Sequence, residues 1–261
     1  MIIRGLFILL LLTSFAITAE DATKETSTEP KPEPIRVLFA GNSYTYYWNL
    51  PQTVAKMAEV LGHNIYTEQS TVGGSNLEQH WKQEEGTETL ALIQQGGWDY
   101  VVFNNHSMST IETNASFFEY GKKFAELVES QGGKAVFYMT WAREHNKLML
   151  PTISGSYRKL AKDTGAYVVP IGELWMQSLS LHPEYKLHAD DGSHPSPQGT
   201  YLTALAFTKF FTGESVRSIP NALLTKDEFG QKLYLNHMQQ NEGNYFRMLV
   251  DSYQLAVLKK E

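Results

Sequence analysis

The chain has 261 residues, a formal net charge of −6, 42% hydrophobic and 12% aromatic residues, and no cysteine. That length suits one α/β domain with appendages better than two full domains. The acidic balance argues against an electrostatic nucleic-acid binder, which needs a basic face, and the lack of cysteine removes disulfides and a lipid-modified cysteine.

At the N-terminus, Arg4 precedes the apolar run GLFILLLLTSFA, and small residues follow at Thr18 and Ala19. This order predicts a secretory signal peptide over residues 1–19. The run is shorter than the roughly 20 apolar residues a transmembrane helix needs. The expectation is therefore an exported protein, periplasmic or secreted, with no membrane span once the signal is removed. Residues 20–34, EDATKETSTEPKPEP, are polar and proline-bearing and predict a flexible linker.

Residues 35–40 are apolar or β-favouring apart from Arg36 and end in Gly41-Asn42-Ser43. A short apolar run closed by glycine reads as a buried strand entering a tight turn. Loops at the carboxyl ends of such strands are where open α/β sheets bind ligands. Ser43 is thus placed like a nucleophile, and it equally suits a cap for the turn that follows.

The spacing predicts a helix over 50–61, with Asn49 as its cap, Pro51 in its first turn and Gly62 as its stop. A second strand, 64–71, leads into Val72-Gly73-Gly74-Ser75-Asn76. A helix over 87–95 ends at Gly96-Gly97, and a third strand, 98–103, leads into Asn104-Asn105-His106-Ser107. A long amphipathic helix covers 114–131, and a fourth strand covers 134–141. A helix over 154–164, a fifth strand over 166–170 and a helix over 172–179 complete the alternation. Strands separated by helices imply βαβ crossovers and a mostly parallel sheet covered on both faces. Residues 198–211 read as a very apolar helix. Residues 225–260 read as two helices broken near Gly243, so 214–261 is expected to be a helical C-terminal extension.

The chemistry-bearing motif comes late, as Asp191-Gly192-Ser193-His194-Pro195. Asp and His at i and i+3 can meet across one turn. The carboxylate then fixes the ring tautomer and leaves the other nitrogen to take a proton. Asp190, at i and i+4, is the weaker partner. This is a base and its orienting acid without a nucleophile, which Ser43 supplies if the sheet brings both loops to one edge. No His-Glu-x-x-His pairing, phosphate-cradling loop with a following lysine, or G-x-S-x-G elbow occurs. A zinc set of His182, His188 and Asp190 is conceivable by spacing alone, and no metal or cofactor is expected.

With these residues in place, the chain resembles the SGNH/GDSL hydrolase superfamily, in the subgroup whose first block reads Gly-Asn-Ser. Ser43 matches the first block and Gly74 the glycine of the second. The exit of the 98–103 strand matches the third, and Asp191-Gly192-Ser193-His194 matches the closing Asp-x-x-His. The resemblance implies a flavodoxin-like three-layer αβα sandwich with a mostly parallel five-stranded sheet, and it bounds a catalytic domain at 35–213. It also implies a Ser43–His194–Asp191 triad. The oxyanion hole would be built from the N–H groups of Ser43 and Gly74 and an amide of the third block. That block usually reads Gly-x-Asn-Asp and here reads Asn104-Asn105-His106-Ser107. Along a strand, Asn104 and His106 share a face and Asn105 takes the other. Asn104 is the expected donor, with Asn105 and His106 as the alternatives.

Tyr44, Tyr46, Tyr47 and Trp48 follow the serine, and Trp141 and Arg143 close the fourth strand. Trp141 and Arg143 are the expected substrate-binding residues, an aromatic face and a cation for an anionic group. The resulting expectation is an exported serine esterase or deacylase for short O-acyl groups, with a small-molecule or carbohydrate ester as partner. An acyltransferase using the same residues and a non-catalytic binding module are the rival readings.

Overall fold

A computed structural model describes residues 33–255. The expected signal peptide, most of the expected linker and the last six residues lie outside the described residues.

The elements follow in the order β1 (Ile35–Gly41), α1 (Ser43–Tyr46), α2 (Leu50–Val60), β2 (Ile65–Thr71), α3 (Leu77–Lys82), α4 (Thr89–Gln95) and β3 (Tyr100–Phe103). Then come α5 (Ser109–Glu112), α6 (Asn114–Ser130), β4 (Lys134–Tyr138), α7 (Leu150–Thr164), β5 (Tyr167–Val169) and α8 (Ile171–Leu181). The chain closes with α9 (Pro197–Thr212), β6 (Ala222–Lys226), β7 (Lys232–His237) and α10 (Gln240–Ser252).

Strands β1 to β5 form one five-stranded sheet in the order β2-β1-β3-β4-β5, and every pairing in it is parallel. This is the flavodoxin-like order, in which the chain reverses direction across the sheet between β1 and β3. The continuous apolar run of β1 is explained by burial on both faces. Val37 and Phe39 enter one core with α2, α8, α9 and α10. Leu38 and Ala40 enter the other, with α3, α4, α6 and α7. Alternate residues of one strand therefore feed two cores, as the period of two requires.

Local chemistry sets the ends of the helix that follows the Asp–His loop. Ser196 caps α9 by accepting from the Gly199 N–H at 3.1 Å, and Pro197 occupies its first turn, where no N–H partner is missed. By contrast, Asn49 does not cap α2. It and Trp48 sit in left-handed backbone at φ 55° and 54°, and Asn49 makes no side-chain cap bond.

The C-terminal region departs from expectation. Residues 222–237 form an antiparallel hairpin of β6 and β7, and among the described residues only α10 is helical beyond α9. Asp227 builds the turn, its carboxylate accepting from the N–H groups of Phe229 and Gln231 at 3.0 and 2.8 Å. Only Leu223 and Leu235 of the hairpin are buried apolar residues, so the alternation that signals a strand is faint. Nor does Gly243 break a helix, since α10 runs through it. A Cβ there would lie 2.2 Å from the Asn221 side-chain oxygen, so the glycine permits close packing against the segment before β6.

Candidate active site

The site lies at the carboxyl ends of β1 and β3, where the strand order reverses. Strand β1 ends at Gly41, where a Cβ would fall 1.7 Å from the Asn104 side-chain oxygen, so only glycine lets the two loops touch. Asn42 then caps α1, accepting from the Tyr44 N–H at 3.1 Å. Ser43 is thereby the first residue of that short helix, where its own N–H has no intrahelical acceptor.

The loop between α8 and α9 brings the other half. Ala189 donates its N–H to the His194 carbonyl at 2.8 Å and Gly192 donates to Ala189 at 2.9 Å, folding residues 189–194 into a compact turn. The Asp191 carboxylate accepts from the backbone N–H groups of Ser193 and His194, both at 2.9 Å. Its other oxygen takes a hydrogen bond from His194 Nδ1. Burial by itself would raise the Asp191 carboxyl, but the His194 ring and the two N–H donors outweigh it and hold the group at about 2. His194 Nε2 lies 2.9 Å from Ser43 Oγ. The structure therefore brings Ser43, His194 and Asp191 into one hydrogen-bonded line, across 151 residues of sequence between hydroxyl and imidazole.

The aromatics after the serine clamp these two loops together. The Tyr47 ring stacks on His194 with centroids 4.5 Å apart, and the Tyr44 ring meets the same imidazole edge-on at 5.7 Å. Tyr44 also shares a hydrogen bond with the Ser193 hydroxyl at 2.7 Å. Trp141 is sandwiched flat between Tyr44 at 4.6 Å and Trp175 at 3.7 Å, and it donates to the Ser193 carbonyl at 2.9 Å. Both faces of Trp141 are covered and the residue is 2% exposed. Neither face is open to stack on a sugar, so the expectation of an aromatic substrate-binding face there is corrected, and Trp141 only borders a hollow beside Arg143. The aromatic run beside the serine is the sequence signal for this clamp.

Among the expected oxyanion residues, Ser43 and Gly74 line the pocket, together with Gly73, His106, Ser107 and Arg143. Asn104 does not. It is fully buried, and its amide donates to the Asn42 side-chain oxygen at 2.9 Å and to the Asn105 carbonyl at 3.0 Å. Its oxygen accepts from the Asn42 N–H at 3.2 Å and the Thr45 hydroxyl at 2.5 Å. Both amide hydrogens are committed to holding the loops, so the expected donor role of Asn104 is corrected to an architectural one. Asn105 is also buried, its oxygen accepting from Leu77, His106 and Ser109.

Arg143 lines the pocket as expected. Its Nη2 donates to the Ser107 hydroxyl at 3.2 Å, its buried Nε has no partner, and no carboxylate among the described residues pairs with it. It also borders a second hollow with Lys147, Tyr185 and Lys186.

Behind the nucleophile strand sits a fully buried histidine. His80 Nε2 lies 3.0 Å from the Gly41 carbonyl and 2.8 Å from the Ser75 hydroxyl, and Nδ1 lies 2.6 Å from the Thr89 hydroxyl. Because a carbonyl only accepts, Nε2 carries the proton. Burial lowers this imidazole to about 4, against the opposing effect of its bond to Gly41. His182 and His188 take other partners, Glu184 and the Ala142 carbonyl. No cluster of three or more His, Asp or Glu among the described residues is arranged to hold a metal ion, and no described helix is long and apolar enough to cross a membrane.

No family model matches the chain, and no curated protein matches it. Solved structures do. A Slackia heliotrinireducens protein, provisionally described as an SGNH hydrolase, is 24% identical over 69% of this chain and 100% of that one, with a TM-score of 0.59. A DUF4886 family protein from Bacteroides uniformis is 18% identical over 84% of this chain and 94% of that one, with a TM-score of 0.64. An acetyl xylan esterase is 16% identical over 66% of this chain and 98% of that one, with a TM-score of 0.54. At these identities the likeness establishes the fold, and the fold is the flavodoxin-like one shared by SGNH hydrolases.

Proposed function

We propose that the protein is an exported serine esterase that removes a short O-acyl group, such as acetyl, from a carbohydrate or another small ester. The observation that carries this reading is the position of His194 between Ser43 and Asp191, with Nε2 at 2.9 Å from the Ser43 hydroxyl. Export rests on the sequence of residues 1–19 alone. The likeness to an acetyl xylan esterase supports the choice of acyl group.

In this reading His194 Nε2 takes the Ser43 proton as Oγ attacks the ester carbonyl carbon. Asp191, ionised and fixed by three hydrogen bonds, holds the tautomer and balances the imidazolium charge. The N–H groups of Ser43 and Gly74 stabilise the oxyanion of the tetrahedral intermediate. His194 returns the proton to the leaving alcohol, and the acyl–Ser43 ester is then hydrolysed by a water that the same imidazole deprotonates. Arg143 holds an anionic or strongly polar group of the substrate, since its guanidinium faces the pocket with donors to spare.

Purified protein lacking residues 1–19 tests the reading directly. Hydrolysis of acetylated sugars and Ser43-dependent labelling by a fluorophosphonate are expected. Labelling with acyl transfer exceeding hydrolysis when sugar is added would make it an acyltransferase, and absence of both would leave a binding module.

A further inference from the structure

The withdrawal of Asn104 into the scaffold leaves the hole with two backbone donors and one position open. In the register Asn104-Asn105-His106-Ser107, His106 stands where the usual Gly-x-Asn-Asp block carries its asparagine. His106 lines the same pocket as Ser43, Gly74 and His194. We infer that His106 replaces the missing amide and donates its Nε2–H to the oxyanion formed when Ser43 attacks an ester. This inference rests on the serine esterase reading above and adds to it a catalytic residue of unusual type.

The tautomer follows from the backbone. The Met108 N–H points at His106 Nδ1 from 3.3 Å, so Nδ1 is the acceptor and the ring proton of the neutral form resides on Nε2. The backbone that carries the ring is fixed as well. Asn105 accepts the His106 N–H at 2.8 Å, and the His106 carbonyl accepts from Ser109 at 2.9 Å. No acidic side chain is paired with this imidazole among the described residues, unlike His194, so nothing prepares it as a second general base.

Its charge state suits a neutral donor. Partial burial, reinforced by the positive Arg143 nearby, holds His106 below the ordinary histidine value. A neutral imidazole polarises a developing oxyanion without requiring a buried cation in the resting site, a use of histidine known from other folds.

The test compares His106→Ala and His106→Gln with the unmodified protein on an acetyl ester. A trifluoromethyl ketone, which adds to the serine as a charged hemiketal, probes the oxyanion hole separately. Loss of one oxyanion donor is worth about 10²–10³ in kcat. The expected result for His106→Ala is a fall of that size in kcat with KM nearly unchanged and a parallel rise in Ki for the ketone. In His106→Gln, whose amide can reach the same oxygen, much of the loss should return. A kcat within threefold of the unmodified protein, a change confined to KM, or a kcat loss without weaker ketone binding in a folded variant would each overturn the inference while leaving the esterase standing. Absence of Ser43-dependent hydrolysis in the unmodified protein would overturn the esterase reading and this assignment with it.

Discussion

The Trp48 indole N–H donates to the Pro195 carbonyl at 2.9 Å. One residue just beyond the nucleophile's helix thus grips the residue next to the imidazole. To do so Trp48 holds a left-handed backbone at φ 54°, a conformation that costs an ordinary residue roughly 1–2 kcal/mol. Such strain persists where surrounding contacts over-determine it. Here those contacts fix the distance between the loop of Ser43 and the loop of His194.

Replacing Trp48 with Phe keeps the ring and removes the bond. Because the side chain is half exposed, the stability loss should be about 1 kcal/mol, a fall of a few degrees in Tm. The kcat should fall by roughly tenfold, since a small misplacement of the imidazole is costly in rate. Calorimetry and steady-state kinetics on the same preparation separate the two effects.

Asp191→Asn should lower kcat by about 10³–10⁴ with little change in KM, because the amide would present the wrong partner to His194 Nδ1. In the unmodified protein the Asp191 carboxyl, held at about 2, stays ionised throughout the working range. Its contribution to stability is present above the unfolded value of about 3.9 and is lost only as pH falls through about 2. Carbon NMR of the labelled carboxyl should show that midpoint.

His80 acts in the same direction at higher pH, because here too the unfolded chain binds the proton more readily. Folded, it is neutral until about pH 4, whereas the unfolded chain takes up a proton near 6.5. Stability linked to this residue is therefore full above pH 6.5 and declines between 6.5 and 4, by about 3 kcal/mol if the shift is complete. His106 and His188, also lowered by burial, add to the same slope. His80→Gln should lower Tm at neutral pH and flatten its dependence across this interval, as thermal melts at stepped pH would record.

Gly74 sits at φ +72° with nothing within 4 Å of where a Cβ would lie. Gly74→Ala therefore meets no clash with the protein and is penalised through its backbone, by at least about 1 kcal/mol. The N–H proposed as an oxyanion donor would tilt, and kcat should fall about tenfold or more while the substrate's KM changes little. Kinetics of Gly74→Ala against Gly73→Ala, whose backbone is not left-handed, checks the cause.

The sheet was legible because its signals are local and redundant. Each of β1, β3 and β4 is an apolar run ended by a change of chemistry, and helix stops such as Gly62 and Gly96-Gly97 punctuate the crossovers. The Ser43, Asp191 and His194 set was legible from motif spacing once the sheet was assumed. The short α3 was missed although Asn76 and Gln79 form a capping box across its first turn, a signal readable as Asn-x-x-Gln. The hairpin was missed because its strands bury few side chains. Asn104 was misassigned for a physical reason: pattern reports which residues approach a site, and only the hydrogen-bond partners show whether a donor is already spent. Trp141 misled similarly, since a ring at a strand's end looks the same in sequence whether its faces are open or stacked.

The most direct test of the relay is the rate of acetyl-ester hydrolysis by the protein and by Ser43→Ala, measured with fluorophosphonate labelling of both. The account predicts hydrolysis and labelling in the first, and in the second a kcat lower by at least about 10³-fold with no label incorporated. Hydrolysis and labelling undiminished in Ser43→Ala would contradict it.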